Sequence, residues 1–144
     1  MSLFDVALLL QGEALRRSEA DDNDGFGRSS FNRFYYSAYL EVRKNLGSMR
    51  GEWLGLGHAA IPELMRGTIQ KEIKKLQVKA IRSGDHQLVQ QCLAAKSASL
   101  DLADLLEKAY SARVVADYHP EIKVKFSDNH FELNDVAVSI ARSW

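Results

Sequence analysis

The chain has 144 residues, enough for one ordinary domain and too few for two full hydrophobic cores, so we expect a single domain over residues 1–144. Apolar residues make up 46% and charged residues 26% of it, which excludes wholesale disorder, and 19 basic residues balance 19 acidic ones. Because the net charge is zero, any contact with nucleic acid must come from a local basic patch.

The cysteine content and the longest apolar run indicate the compartment. The single cysteine, Cys92, excludes an internal disulfide framework and a cysteine-based zinc site. The longest apolar run, Val6 to Leu10, is far too short to span a bilayer, and no basic region precedes it as in a secretory signal. We therefore expect a cytoplasmic protein without membrane contact.

Hydrophobic spacing predicts two helices in the first third of the chain. Apolar residues recur at helical spacing over residues 3 to about 19, and the acidic, glycine-rich segment 21–27 is expected to end this first helix. Ser29 or Ser30 then caps a second helix that runs to about Leu46. Apolar residues on several sides of the second helix predict that it has more than one neighbour.

Two further helices are predicted after a glycine-rich connection at residues 47–57. The third opens between His58 and Pro62, bends at Gly67 and continues to about residue 82. The sequence Ser83-Gly84-Asp85 ends it, and Asp85 caps the fourth helix, which runs to about residue 117. The predicted buried seam of the fourth helix is Leu88, Cys92, Ala95, Ser99, Leu102, Leu106, Ala109 and Arg113.

The C-terminal segment predicts a connection and one more helix. Pro120 restricts His119 to extended geometry, so the fourth helix must end by Tyr118. Residues 121–130 form the connection, in part extended, and no strand alternation stands out. The residues expected on the last helix are Leu133, Val136 or Ala137, Ile140 and Trp144. The predicted fold is all-α, an up-down bundle of four long helices plus one or two short helices.

Most of the motifs that signal a particular chemistry are missing. Segment 21–27 fails as a calcium loop because, with Gly25 as the loop glycine, the first and twelfth positions would be Ala20 and Phe31. The four histidines lack metal-ligand spacing, and no phosphate-binding glycine loop occurs. We therefore expect no metal and no cofactor.

A basic stripe lies on the third predicted helix, opposite its apolar face. It consists of Lys71, Lys74, Lys75, Lys79 and Arg82. A solvated helix face explains this basic stripe most simply. The alternative is a contact with RNA phosphates, which would need other basic groups alongside.

Arg113 is the most informative residue, because it occupies a seam position where the pattern predicts an apolar side chain. A guanidinium there must find a carboxylate, a phosphate or water. One interpretation is an intrahelical ion pair with Asp117, four residues later on the same face. The other is that Arg113 lines a cleft that binds anions, with the imidazole of His119 beside it beyond the end of the helix.

Three segments of the chain resemble HEPN domains (higher eukaryotes and prokaryotes nucleotide-binding). Residues 30–39, SFNRFYYSAY, are similar to the second-helix signature of that superfamily, and residues 57–61, GHAAI, to the opening of its third helix. Residues 112–119, ARVVADYH, resemble its C-terminal motif, an Arg followed after four to six residues by His. Together these segments extend the resemblance over essentially the whole chain.

The resemblance implies a helical bundle that pairs as a two-fold homodimer, in which the Arg and His of both subunits meet in one cleft and cleave RNA without a metal ion. It implies a toxin in a toxin–antitoxin pair or in phage defence, with a nucleotidyltransferase-like antitoxin as a further partner. Matched residue by residue, Arg113 and His119 are the catalytic pair. The residues matched to supporting roles are Asp117, Tyr118, Arg33 and Tyr36.

Val114 departs from the family pattern. Catalytic members usually carry a polar residue, often Asn, Asp or His, directly after the motif Arg, and valine has no polar group to offer. The alternative to a nuclease is therefore a non-catalytic dimeric module that binds a nucleotide, RNA or a protein through the same cleft.

Overall fold

A computed structural model describes residues 1–144. The chain divides into two compact units, one formed by Met1–Leu54 with Lys108–Trp144 and the other by Gly55–Glu107. Six α-helices hold most of the residues, which confirms the predicted all-α class, and the longest, α5 (His86–Tyr118), contributes to both units. None of the helices combines the length and the apolar character that a bilayer crossing requires.

The first unit opens with two helices. α1 runs Leu3–Arg16, and Ser2 caps it through a reciprocal pair of bonds: its Oγ accepts the Asp5 N–H, and the Asp5 carboxylate accepts the Ser2 N–H. α2 runs Ala20–Met49 and is followed by a 3₁₀ turn at Gly51–Trp53.

The predicted helix break at residues 21–27 is wrong, because this segment forms the first two turns of α2. Asp21 and Asp22 lie in the first turn, where the positive end of the helix dipole stabilises carboxylates. Gly27 is buried, and a Cβ at that position would approach the Val124 side chain to 3.3 Å, so this glycine serves close packing and not a turn. The break falls instead at residues 17–19.

The C-terminal segment contains a small antiparallel sheet where the last helix was expected. β1 (Lys125–Ser127) pairs with β2 (His130–Leu133), which pairs with β3 (Val136–Ala137), and only α6 (Val138–Ser143) is helical. Leu133, Val136 and Ala137 are therefore strand residues, and the prediction that they lie on a helix is wrong.

Turn chemistry explains this difference. Asn134 and Asp135 have φ values of 49° and 64°, the left-handed conformation that a two-residue hairpin turn requires and that Asn and Asp tolerate better than most residues. Along β2 only Phe131 and Leu133 are buried, which is the alternation of a strand. Four residues are too few for that period to stand out in the sequence.

One hydrophobic core joins the elements of the first unit. Phe31 of α2 meets Phe131 of β2 edge to face, with ring centroids 6.0 Å apart, and Phe4 of α1 meets Phe34 of α2 in the same way at 5.6 Å. The buried members of this core are Ala7, Ala14, Phe31, Phe34, Ala116, Val124, Phe131, Leu133, Val138 and Ala141. Through Ala116 this core holds the C-terminal end of α5.

The second unit contains α3 (Ala60–Arg66), α4 (Thr68–Ser83) and the first two thirds of α5. Gly67 separates α3 from α4, at the predicted bend. Gly84 ends α4 with a φ of 72°, and Asp85 Oδ1 accepts the Leu88 N–H at 3.0 Å, which confirms the predicted cap. Across this turn α4 and α5 form a helical hairpin.

The predicted seam of α5 is confirmed in part. Cys92, Leu106 and Ala109 are buried, whereas Ala95 is exposed. In the last turns of the helix the buried residues are Ala109, Ala112 and Ala116, all of them small. Small side chains let other elements of the first unit approach this end of α5 closely.

Candidate functional site

Arg113 lies in the last two turns of α5, and only 13% of its side chain is exposed. Its Nε lies 2.8 Å from Asp117 Oδ2, so the ion pair suggested by their four-residue spacing is present. The Nε–H is not aligned for a hydrogen bond with any acceptor, so the attraction to Asp117 is that of two close charges. Its Nη2 donates to the Tyr36 hydroxyl at 3.1 Å.

Three tyrosine rings surround the Arg113 guanidinium. Its Cζ lies 5.4 Å from the ring centroid of Tyr36, 5.8 Å from that of Tyr110 and 5.6 Å from that of Tyr118. These are cation–π distances, and such contacts strengthen when the cation is withdrawn from water. Tyr36 is partly buried, whereas Tyr110 is 37% and Tyr118 66% exposed, so one side of the group is open to solvent.

Asp117 connects α5 to α2 in this group. Both of its carboxylate oxygens accept from Asn32 Nδ2, at 3.1 and 2.9 Å. Burial lowers the pKa of Arg113, but Asp117 and the three neighbouring tyrosines together outweigh burial and raise that pKa on balance, so the guanidinium stays charged at any working pH. We call Arg113, Asp117, Tyr36, Tyr110 and Tyr118 the Arg113 cluster.

His119 follows directly after α5 and is 46% exposed. Its Nδ1 lies 2.8 Å from Glu121 Oε1. The pKa of Glu121 is lowered, first by a hydrogen bond from its own backbone N–H and then by His119, so this carboxylate is ionised near neutral pH. An ionised carboxylate only accepts hydrogen bonds, and the proton of this bond therefore sits on Nδ1.

The predicted catalytic pair does not form a direct contact within one chain. Each side chain has its own carboxylate, Asp117 for Arg113 and Glu121 for His119. Both groups are therefore held at the C-terminal end of α5, each by a different carboxylate.

Arg28 of α2 binds the backbone around His119. Its Nη1 donates to the carbonyls of Val115, Ala116 and His119 at 3.2, 3.1 and 3.1 Å, and its Nη2 donates to Ile122 O and, at 3.5 Å, to Pro120 O. The Ala116 carbonyl has no helical donor, because the residue four positions later is Pro120 and has no N–H, and Arg28 supplies that bond. The cation also complements the negative end of the helix dipole.

Asp24 completes this contact from the preceding turn of α2. One oxygen accepts from Arg28 Nε at 2.6 Å and the other accepts the Val124 N–H at 2.8 Å. Only 12% of the Arg28 side chain and 15% of the Asp24 side chain are exposed. Sequence reasoning missed both residues, although their spacing of four on one helix would have indicated the pair once segment 21–27 was recognised as helical.

Tyrosines buried in α2 support the Arg113 cluster from inside the unit. Tyr35 is buried, and its ring lies 5.9 Å from that of Tyr39 and 5.7 Å from that of Tyr110. Burial raises the pKa of Tyr35, and the neighbouring tyrosines raise it further. This packing holds Tyr110 in place beside Arg113.

The remaining predicted site residues are Arg33 and the basic stripe. Arg33 is exposed on α2. The basic stripe lies on α4, in the other unit, and all of its members are exposed. No group of three or more His, Cys, Asp or Glu side chains is placed to hold a metal ion.

Comparison with known proteins gives no relative for this chain. No family model, no curated protein and no solved structure matches it.

Proposed function

We propose that this chain is a HEPN-like endoribonuclease that cleaves single-stranded RNA without a metal ion, as a two-fold dimer with a role in a toxin–antitoxin pair or in phage defence. The observation that carries the proposal is the exposed His119–Glu121 pair at the end of α5 that also holds the Arg113 cluster. A proton-transfer group open to solvent and a permanent cation are the two groups that this reaction needs from a protein.

His119 supplies the proton transfer. Because Nδ1 is held by Glu121, Nε2 is the nitrogen left to exchange a proton with a substrate. A carboxylate behind the imidazole fixes its tautomer and stabilises the imidazolium once the ring has taken a second proton.

The reaction uses the RNA's own nucleophile. The ribose 2′-OH loses its proton to one imidazole, its oxygen bonds to the adjacent phosphorus, and the bond from phosphorus to the 5′ oxygen breaks. A second imidazole, that of His119 in the other copy of the dimer and already protonated, donates to that leaving oxygen. The products are a 2′,3′-cyclic phosphate and a free 5′-hydroxyl, and the proton count closes without any other reactant.

Arg113 supplies charge to the phosphate in the transition state. Its guanidinium stays ionised and is held by Asp117 and by three rings, so it needs little rearrangement when negative charge develops. In the two-fold dimer a second copy places another Arg113–His119 set across the cleft. A symmetric interface of more than about 1,000 Å² is expected for such a dimer.

An RNA cleavage assay in excess EDTA tests the proposal. Wild type is expected to cleave a single-stranded RNA to 2′,3′-cyclic phosphate ends. His119→Ala should lose about 10²–10⁴-fold in rate, the usual contribution of general acid–base catalysis. His130→Ala, a histidine on β2, is the matched control and should cleave like wild type. A wild type that leaves RNA intact, or a His119→Ala variant as fast as wild type, refutes the nuclease.

A second candidate is the non-catalytic dimer that binds a nucleotide, RNA or a protein. Two observations favour it: the Arg113 charge is already balanced by Asp117, and Val114 has no polar group to offer a substrate. Asp117→Asn separates the two candidates, because it frees the guanidinium for a phosphate while keeping the side-chain shape. Tighter RNA binding without cleavage would favour the binding module, and light scattering that gives a monomer would remove the composite cleft from both.

A further inference from the structure

The open side of the Arg113 cluster has two features that recur where proteins hold single-stranded RNA. Tyr118 is the last residue of α5, and at 66% exposed its ring is more open to solvent than that of any other tyrosine in the chain. Tyr110 presents a second ring, 37% exposed, two turns earlier on the same helix. Both rings lie within 6 Å of the Arg113 guanidinium.

The chemistry of this surface selects among partners. An exposed aromatic ring offers a flat face on which an unpaired base stacks, and the adjacent cation attracts the phosphate of the same nucleotide. A purely apolar partner would remove water from the Arg113–Asp117 ion pair without adding a polar contact, and taking charged groups out of water is costly even when they are paired. A base-paired helix keeps its bases stacked on one another and has no free base face to give.

We infer that Tyr118 and Tyr110 form a stacking surface for an unpaired RNA base beside Arg113. This inference rests on the proposed function, since it specifies the substrate of that site as single-stranded RNA held by its base as well as by its phosphate. Tyr118 is the main contact because it is the more exposed ring, and Tyr110, fixed by Tyr35 behind it, is the second.

The test measures binding of two fluorescent octanucleotides of equal charge. One carries eight adenines on a 2′-O-methyl backbone, which has no free 2′-OH and is not cleaved, and the other has the same backbone without bases. Wild type is expected to bind the adenine octamer about five- to 150-fold more tightly than the abasic one, the range for stacking of one base. Tyr118→Leu should lose most of that preference, whereas Tyr118→Phe should retain it because the ring remains.

Phe126→Leu is the matched control. Phe126 on β1 is as exposed as Tyr110 but lies against Phe131 and has no cation beside it, so its loss should leave the preference for bases unchanged. Equal binding of the two octamers by wild type, or an undiminished preference in Tyr118→Leu, overturns the inference. A third result also overturns the inference: Tyr118→Leu changes the oligomeric state, and binding does not depend on bases. The Tyr118 ring would then belong to an interface between copies of the chain.

The EDTA cleavage assay separates failure of this inference from failure of the proposed function. If Tyr118→Leu cleaves RNA with wild-type kcat and KM, the stacking surface is refuted and the nuclease stands. If wild type neither binds the octamers nor cleaves RNA, both are refuted.

Discussion

Replacing Arg28 by Gln should destabilise the first unit more than replacing any other charged residue of α2. Only 12% of the Arg28 side chain is exposed, and its guanidinium donates to five backbone carbonyls within residues 115–122 as well as to Asp24. Glutamine retains part of the side-chain length but has one amide group where Arg28 has a charged fork.

The expected loss in the free energy of unfolding follows from the hydrogen bonds and the charge that Arg28→Gln removes. A hydrogen bond from a charged donor contributes about 1.5–3 kcal/mol, and a cation at a partly buried helix C-terminus contributes up to about 2 kcal/mol. Asp24 would also lose its counter-charge in a site only 15% exposed, although it keeps the Val124 N–H. Since one guanidinium makes all these contacts, they are not additive, and we expect a loss of about 3–4 kcal/mol in the free energy of unfolding.

Urea denaturation followed by far-ultraviolet circular dichroism measures this loss. Arg17→Gln is the matched control, because Arg17 is an exposed arginine that pairs with Glu13, and its replacement should cost less than about 1 kcal/mol. Arg28→Lys should fall between the two, since an ammonium keeps the charge at the helix end but reaches fewer carbonyls. An Arg28→Gln variant as stable as Arg17→Gln would refute the claim that this contact holds the end of α5.

Three other predictions concern the hairpin turn, a buried phenol and the basic stripe. Asp135→Gly should stabilise the fold by about 0.5–1 kcal/mol in thermal denaturation, because glycine adopts the left-handed conformation of this turn position without strain. If residue 135 were instead part of a helix, the same change would destabilise the fold by about 1 kcal/mol. Burial raises the pKa of Tyr35, so the stabilising contribution of its neutral form is fully present below about pH 10 and falls by about 1.4 kcal/mol per pH unit above that. Above pH 10 the free energy of unfolding of Tyr35→Phe should therefore fall less steeply with pH than that of wild type. Equal slopes of the two proteins would contradict this prediction. If α4 binds RNA, changing Lys71, Lys75 and Lys79 to Gln should flatten the salt dependence of binding by about 0.7 log units per lost contact, and an unchanged slope would leave the stripe a solvated face.

The helical class and most helix ends follow from the sequence because they depend on local signals. Gly84 and Asp85 end one helix and cap the next through their own conformational preferences, and Pro120 limits α5 whatever surrounds it. The Arg113–Asp117 pair is likewise local, because four residues on one helix bring the two side chains together.

Tertiary contacts decided the elements that sequence reasoning missed. Segment 21–27 contains the residues of a turn, yet it is helical because Gly27 packs under Val124 and Asp24 pairs with Arg28 and binds the Val124 N–H, about a hundred residues away in sequence. The short strands of the C-terminal sheet likewise gain their stability from pairing with one another and from burying Phe131 against Phe31.

The candidate site likewise has a part that the sequence predicts and a part that only the tertiary structure determines. Its residue types are visible in the sequence, since an arginine in an apolar seam and a histidine beyond a helix end both depart from the pattern around them. Their partners are not visible: Asn32 reaches Asp117, and Arg28 reaches the carbonyl of His119, across 85 and 91 residues of chain. Periodicity reports which face of one helix is buried, whereas these contacts depend on how two helices are placed against each other, and only the folded chain determines that placement.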